Sequence, residues 1–232
     1  MFDQFLNLIY LYRNEMEIME IKLTFEEIRI LGSLIEKELT TPEYYPLTIN
    51  ALKNACNQKS NRNPVASFDE TLIETTLEKL RSKALVSRVT GSDMRVPKFR
   101  QIFTEALNLT PDETALMCEL MNRGAQTPGE LNSRASRMFK FESLTKVTET
   151  IQKLIEREYP LVTKLPRQPG TKESRFAHLL SGEPEIITND IQEEVSNTES
   201  ERIQKLEEQV ESLKNDLEDL KTRFEEFKSQ LE

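Results

Sequence analysis

A Thr-x-x-Glu start followed by a Thr-Pro pair 17 positions on occurs twice in this chain of 232 residues. Thr24 to Glu27 leads to Thr41-Pro42, and Thr110 to Glu113 leads to Thr127-Pro128. Each start reads as a capping box: the Thr hydroxyl accepts from the amide three residues on, and the Glu reaches back to the Thr amide. Phe25, Ile28, Leu31, Leu34 and Ile35 then fall on one helical stripe, which ends near Leu39 because Pro42 disfavours helix just before it. In the second copy Pro111 takes the first helical position, Ala115, Leu116, Leu120 and Met121 form the stripe, and Gly124 ends it.

The parallel continues beyond each Thr-Pro pair. A short second helix is expected at Leu47 to Cys56 and at Gly129 to Ala135, and a longer third at Asp69 to Lys83 and at Ser143 to Glu158. The third helices have apolar faces of Leu72, Ile73, Leu77 and Leu80, and of Val147, Ile151, Leu154 and Ile155. Both copies then become extended. Leu85-Val86 turns at Gly91-Ser92 and returns through Arg95-Val96; Leu161-Val162 runs through Pro166 to Gly170 and returns through Arg175-Phe176. The second hairpin is the longer by this count. Three helices and a two-stranded hairpin, twice over, predict a mainly α fold with small β-hairpin wings (α+β): two tandem winged-helix domains, at 22–104 and 105–182, plus a C-terminal coiled-coil helix.

After Gly182 the composition changes. Residues 183–232 hold 6 Lys and Arg against 16 Asp and Glu, leaving 25 against 24 in residues 1–182, so the net charge of -9 belongs to the tail. Residues 183–198 read as an acidic linker. Within 199–232, Ile203, Leu206, Val210, Leu213, Leu217, Leu220, Phe224, Phe227 and Leu231 alternate spacings of three and four, a heptad seam for dimerisation about 42 Å long. Arg202 with Glu207 and Asp216 with Lys221 favour parallel pairing of two copies, Arg223 with Lys228 opposes it, and a helix folded back on its own domain is the alternative.

Residues 1–21 form an apolar extension with Phe2, Phe5, Leu6, Leu8, Ile9, Tyr10, Leu11 and Tyr12. It lacks the basic start of a signal peptide and falls short of the roughly 20 residues that span a bilayer. Two readings stand: an amphipathic docking helix, or translated upstream sequence with initiation at Met16 or Met19. The regular pattern begins only after Met19, which favours the second. A cytoplasmic protein with no membrane partner is the expectation.

The chemistry-bearing residues are few. Cys56 and Cys118 sit in apolar helical contexts and read as small buried hydrophobes. His178 is the sole histidine, so neither a histidine-based triad nor a His cluster for a metal can be assembled. No Gly-rich phosphate loop is present. No catalytic residue, cofactor or metal is assigned, and an enzyme is not expected.

Nucleic acid is the partner that the charges favour, and only in the second unit. The first unit's third helix begins Asp69-Glu70 and continues with Glu74 and Glu78, which repel phosphate. In the second, Arg134, Arg137 and Lys140 precede the third helix and Lys146 lies on it, while Lys164, Arg167, Lys172 and Arg175 lie on the hairpin. A wing stiffened by Pro166 and Pro169 with basic residues at its tip suits phosphate or a minor groove. Glu142, Glu149, Glu156 and Glu158 dilute the patch. The amide-rich stretch Asn57 to Pro64 suits base edges or, better for its place between a helix and a proline, the capping of a loop.

Pro46 to Pro64, Arg95 to Lys98, Arg123 to Leu131 and Ser174 to Leu179, in that order, resemble the bacterial YceH family over about residues 22–182. The resemblance implies tandem winged-helix domains in a bacterial cytoplasmic protein and supplies no residue roles. Two functions remain in view. One is a DNA-binding, transcription-regulator-like homodimer paired through the coiled coil. The other is a protein-protein interaction adaptor of the kind formed by the tandem winged helices of the chromosome-segregation protein ScpB, without direct DNA contact.

Overall fold

The computed structural model describes residues 22–90, 96–167 and 173–184, all within one compact unit that ends at Pro184. The heptad seam, the acidic linker from residue 185 and the extension up to residue 21 lie outside the described residues, as do residues 91–95 and 168–172 of the two hairpin loops.

The chain opens with α1 (Phe25–Thr40), a 3-10 turn (Pro42–Tyr44), α2 (Ile49–Cys56) and α3 (Glu70–Ser82). The hairpin β1 (Val86–Val89) and β2 (Lys98–Gln101) follows, then the short α4 (Phe103–Ala106). The second half repeats the order with α5 (Pro111–Arg123), α6 (Pro128–Ala135), α7 (Leu144–Ile155), and β3 (Val162–Lys164) paired with β4 (Phe176–His178). The fold is mainly helical with two small antiparallel strand pairs.

The capping boxes stand where the spacing put them. The Thr24 amide donates to Glu27 Oε2 at 2.8 Å, and the Thr110 amide to Glu113 Oε2 at 3.0 Å. A third box caps α6, where the Thr127 amide donates to Glu130 Oε2 at 2.9 Å and the Glu130 amide to Thr127 Oγ1 at 3.3 Å. That cap starts α6 at Pro128, one residue ahead of the sequence expectation. Thr48 caps α2, so Leu47 stays extended and bridges Phe99. α7 ends at Ile155 rather than Glu158, with Glu156 as its C-cap.

The first hairpin returns later than expected. Val86 pairs with Gln101 and Val89 with Lys98, so the described return strand begins at Lys98, beyond Val96. Alternation explains the register: Phe99 and Gln101 are the buried positions of β2. The second hairpin pairs Val162 with His178 and Lys164 with Phe176. In each half the residue just ahead of the second helix adds an edge to the hairpin. Leu47 exchanges backbone hydrogen bonds with Phe99 at 3.1 and 2.7 Å, and Gln126 does so with Phe176 at 3.0 and 2.8 Å.

α1 and α5 are the shared core. Every residue from Glu27 to Glu36 and from Glu113 to Asn122 is buried, which a helix with one covered face cannot achieve. The two helices pack on each other at Gly32, whose carbonyl accepts from Asn122 Nδ2 at 3.0 Å and lies 3.4 Å from Cys118 Sγ. A Cβ at Gly32 would stand 3.0 Å from Asn122 Oδ1, so any larger residue would make the Asn122 side chain give way. Both cysteines are buried and free, and burial pushes the Cys56 thiol up to about 11. The cluster of buried apolar residues draws on positions from Leu23 to Leu180.

Candidate nucleic-acid interface

The eight basic residues singled out in the second half have unequal fates. Arg134, in the last turn of α6, donates from Nη1 to Gln126 Oε1 at 2.7 Å and from Nη2 to Glu130 Oε1 at 3.3 Å. Arg175, just ahead of β4, donates from Nη1 to Glu130 Oε2 and to the Ala125 carbonyl, both at 2.9 Å. The helix and the hairpin are thus tied together by one carboxylate. Burial pushes the Glu130 carboxyl up, but the Thr127 amide and the charges of Arg175 and Arg134 outweigh it and hold it below its ordinary value.

Arg137 turns away from the hairpin. It pairs with Glu36 of α1 and lies 3.8 Å from Glu119 of α5. Lys146 is exposed and pairs with Glu149 one turn on, at 2.6 Å. Lys140, in the loop before α7, and Lys164 and Arg167, at the end of β3 and beyond it, are exposed, and their side chains have no ionic or hydrogen-bond partner among the described residues. Lys172 lies outside the described residues. Of the patch read from the sequence, Arg134 and Arg175 meet on Glu130, Arg137 covers the buried carboxylates of Glu36 and Glu119, Lys146 is paired with Glu149, and Lys140, Lys164 and Arg167 face solvent unpaired among the described residues.

The exposed face of α7 carries Thr145, Thr148, Gln152 and Lys153 alongside the Lys146–Glu149 pair. Short hydroxyls and an amide on an exposed helix are groups that donate to and accept from base edges. The matching face of α3 is acidic: Glu70, Glu74 and Glu78 are exposed, with Lys53 bound to Glu70 at 2.5 Å and Arg81 to Glu78 at 2.7 Å. Between α3 and the first hairpin runs a groove of about 730 Å³, with Ile49, Pro97 and Phe99 on its apolar side and Glu74, Glu78, Lys79 and Arg88 on its polar side.

The amide-rich stretch serves the fold rather than a base. Asn57 Nδ2 donates to the Phe68 carbonyl and the Phe68 amide to Asn57 Oδ1, both at 2.8 Å, closing the loop. The Asn63 amide donates to the Asn122 carbonyl at 2.9 Å, and Arg123 Nη2 donates to Asn61 Oδ1. Arg62 is fully buried. It donates from Nε and Nη2 to the Ala55 carbonyl at 3.1 and 2.8 Å, from Nη1 to the Asn61 carbonyl at 2.8 Å, and from Nη2 to Glu36 Oε2 at 2.5 Å. Burial pushes the Glu36 carboxyl up, but the Arg62 hydrogen bond and the charges of Arg62 and Arg137 bring it below its ordinary value. Glu119, buried beside it, is raised by burial despite Arg123 at 2.9 Å.

Sequence reasoning missed Glu130 and Gln126, which organise this surface. The Thr127-x-x-Glu130 spacing and the Glu130/Arg134 pair at i,i+4 were the available signals. Among the described residues no group of three or more His, Cys, Asp or Glu could hold a metal ion, and no helix is long and apolar enough to cross a membrane.

Residues 23–171 match the family described as "Protein of unknown function, DUF480". The chain belongs to this family. A UPF0502 protein of Geotalea uraniireducens (strain Rf4) is 50% identical over 195 residues, covering 82% of this chain and 89% of the relative. One from Citrifermentans bemidjiense is 51% identical over 193 residues, covering 82% and 88%, and one from Solibacter usitatus is 54% identical over 168 residues, covering 72% and 80%. The DUF480 match begins at Leu23, one residue ahead of the Thr24 cap, and runs through α1 into the second hairpin loop.

Proposed function

We propose that this DUF480 protein is a DNA-binding, transcription-regulator-like homodimer whose second half makes the contact. The observation that carries the reading is the contrast between two similar surfaces. The second half exposes Lys140, Lys164 and Arg167 without carboxylate partners among the described residues, beside a third helix rich in Thr and Gln. The first half also exposes Lys59, Lys79 and Arg88 without carboxylate partners among the described residues, but its corresponding helix exposes Glu70, Glu74 and Glu78, and it is this difference between the third helices that makes the contrast. Cations left free in water are available to displace counterions from phosphate directly, whereas those held in ion pairs must first give up their carboxylate. The twice-repeated order of three helices and a hairpin, with a bridging residue ahead of each second helix, supports a tandem winged-helix organisation of residues 22–104 and 105–182. It also agrees with the resemblance to the YceH family.

In this reading α7 faces a groove of the duplex, the second hairpin meets the phosphates, and the heptad residues Ile203 to Leu231 pair two chains. No catalysis and no cofactor is part of it, and a cytoplasmic location suits it. The test is a variant with Lys140, Lys164 and Arg167 changed to Ala, measured for binding to a labelled duplex across a salt series. Three lost phosphate contacts should flatten the slope of log K against log salt by about 2.7. A slope equal to that of the parent would place the contact elsewhere.

The groove beside α3 favours a second reading, a protein-interaction adaptor. Its apolar side and the acidic helix suit a polypeptide better than a phosphate backbone. Recovery from cells of a stoichiometric protein partner, lost on deleting residues 199–232, would favour the adaptor.

A further inference from the structure

We propose that Glu130 acts as an internal competitor for phosphate: its carboxylate occupies Arg134 and Arg175 in the free protein, and a DNA backbone phosphate replaces it in the complex. This inference rests on the DNA-binding reading of the second half. Glu130 Oε2 accepts from Arg175 Nη1 at 2.9 Å and from the Thr127 amide at 2.9 Å, and Oε1 accepts from Arg134 Nη2 at 3.3 Å. Three donors from α6, its cap and the hairpin therefore converge on one anionic group. A phosphate offers the same charge sign and the same pair of oxygens to a guanidinium.

Exposure separates this carboxylate from its counterpart deeper in the fold. Glu36 and Arg62 are 1% and 0% exposed at their side chains, so no ligand reaches them. Glu130, Arg134 and Arg175 are 29%, 34% and 39% exposed, open to exchange with an outside anion. The arginines also have anchors that do not depend on Glu130. Arg134 holds Gln126 Oε1 at 2.7 Å and Arg175 holds the Ala125 carbonyl at 2.9 Å. When the carboxylate swings out, the two guanidinium groups stay aimed at the vacated place. Glu130 thereby sets how tightly the second half binds, and it favours duplexes whose backbone geometry brings a phosphate to this point.

The experiment is Glu130→Gln in the full chain, titrated onto a labelled mixed-sequence duplex over a salt series. An amide oxygen still accepts from the Thr127 amide, so the cap is kept while the charge is removed. Loss of one competing charge should tighten binding roughly three- to tenfold at low salt. Glu105→Gln, which frees Arg100 in the first half, serves as the control for net charge and should leave affinity unchanged. Arg175→Gln in the parent tests the same claim without touching the cap, and should flatten the salt slope by about 0.9. Unchanged or weaker binding by Glu130→Gln, equal tightening by Glu105→Gln, or an unchanged slope for Arg175→Gln would overturn the role of Glu130 and leave the DNA reading standing. Absence of binding by every protein at low salt would overturn both.

Discussion

Arg62 neutralises the buried carboxylate of Glu36, which joins the two halves of the fold through Arg137, and its removal should be felt throughout the molecule. Its guanidinium satisfies the Ala55 and Asn61 carbonyls and neutralises Glu36, which also holds Arg137 from the second half. Arg62→Met leaves a side chain of similar length but no charge. Glu36 would then be a buried carboxylate with the half-exposed Arg137 and, at 4.0 Å, Lys37 beside it. Breaking a buried pair on one side costs about 3–5 kcal/mol. Against a total stability of about 5–15 kcal/mol, that is a large share. At roughly 2–4 °C per kcal/mol for a unit of this size, the melting temperature should fall by about 6–20 °C. Thermal unfolding followed by circular dichroism reads this directly. The double variant Glu36→Gln, Arg62→Met should melt closer to the parent than Arg62→Met alone, because the stranded charge is gone. The pH dependence has a definite sign. In the parent, Glu36 lies below its ordinary value, so its contribution is present above the unfolded carboxyl range and lost as pH falls through the folded value. Without Arg62 the upward push of burial is less opposed, so the deficit should be larger at pH 7 than at pH 4. A loss under about 1 kcal/mol, independent of pH, would refute the role given to Arg62.

Other substitutions probe separate parts of the account. Gly32→Ala places a Cβ about 3.0 Å from the Asn122 amide and should cost about 1–3 kcal/mol in chemical denaturation. Adding Asn122→Ala should return part of that loss, whereas simple additivity would show that the two residues do not meet. Gly124, at φ +73 and ψ -152, ends α5 in a region that side chains disfavour; Gly124→Ala should lose about 1–3 kcal/mol although nothing crowds its Cβ position. Burial pushes the His178 imidazole down to about 4 from an ordinary 6.5, with Nδ1 buried and unpartnered. Between those values the unfolded chain binds more protons, so stability falls as pH drops from about 6.5 to about 4. His178→Gln should flatten stability over that window, and an unaltered profile would exclude His178 as its source.

Local signals made much of the architecture legible. The capping boxes at Thr24 and Thr110 fixed two helix starts because a cap needs only residues three apart. The Thr-Pro spacing revealed the repeat for the same reason. The return of the first hairpin lies beyond the expected Val96 because its register depends on Phe99 and Gln101 meeting the core, which is a tertiary fact. The all-round burial of α1 and α5 was hidden likewise. Gly32, Cys118 and Asn122 interrupt no stripe in the sequence; their meaning lies in the approach of one helix to the other. The basic patch was legible by residue type but not by availability. Nothing in the spacing of Arg137 and Glu36 announces that they pair across 101 positions, so three arginines counted for phosphate are held by carboxylates of the fold. The amide-rich loop was better assigned to capping than to base reading, as Asn57 shows by closing on Phe68.

The most direct test of the central claim is the titration of full-length protein onto a labelled mixed-sequence DNA duplex, followed by fluorescence anisotropy at two salt concentrations. The account predicts binding that weakens steeply as salt rises, with a slope set by the cations of the second half. No change in anisotropy, even at low salt, would contradict it and move the function to the groove of the first half.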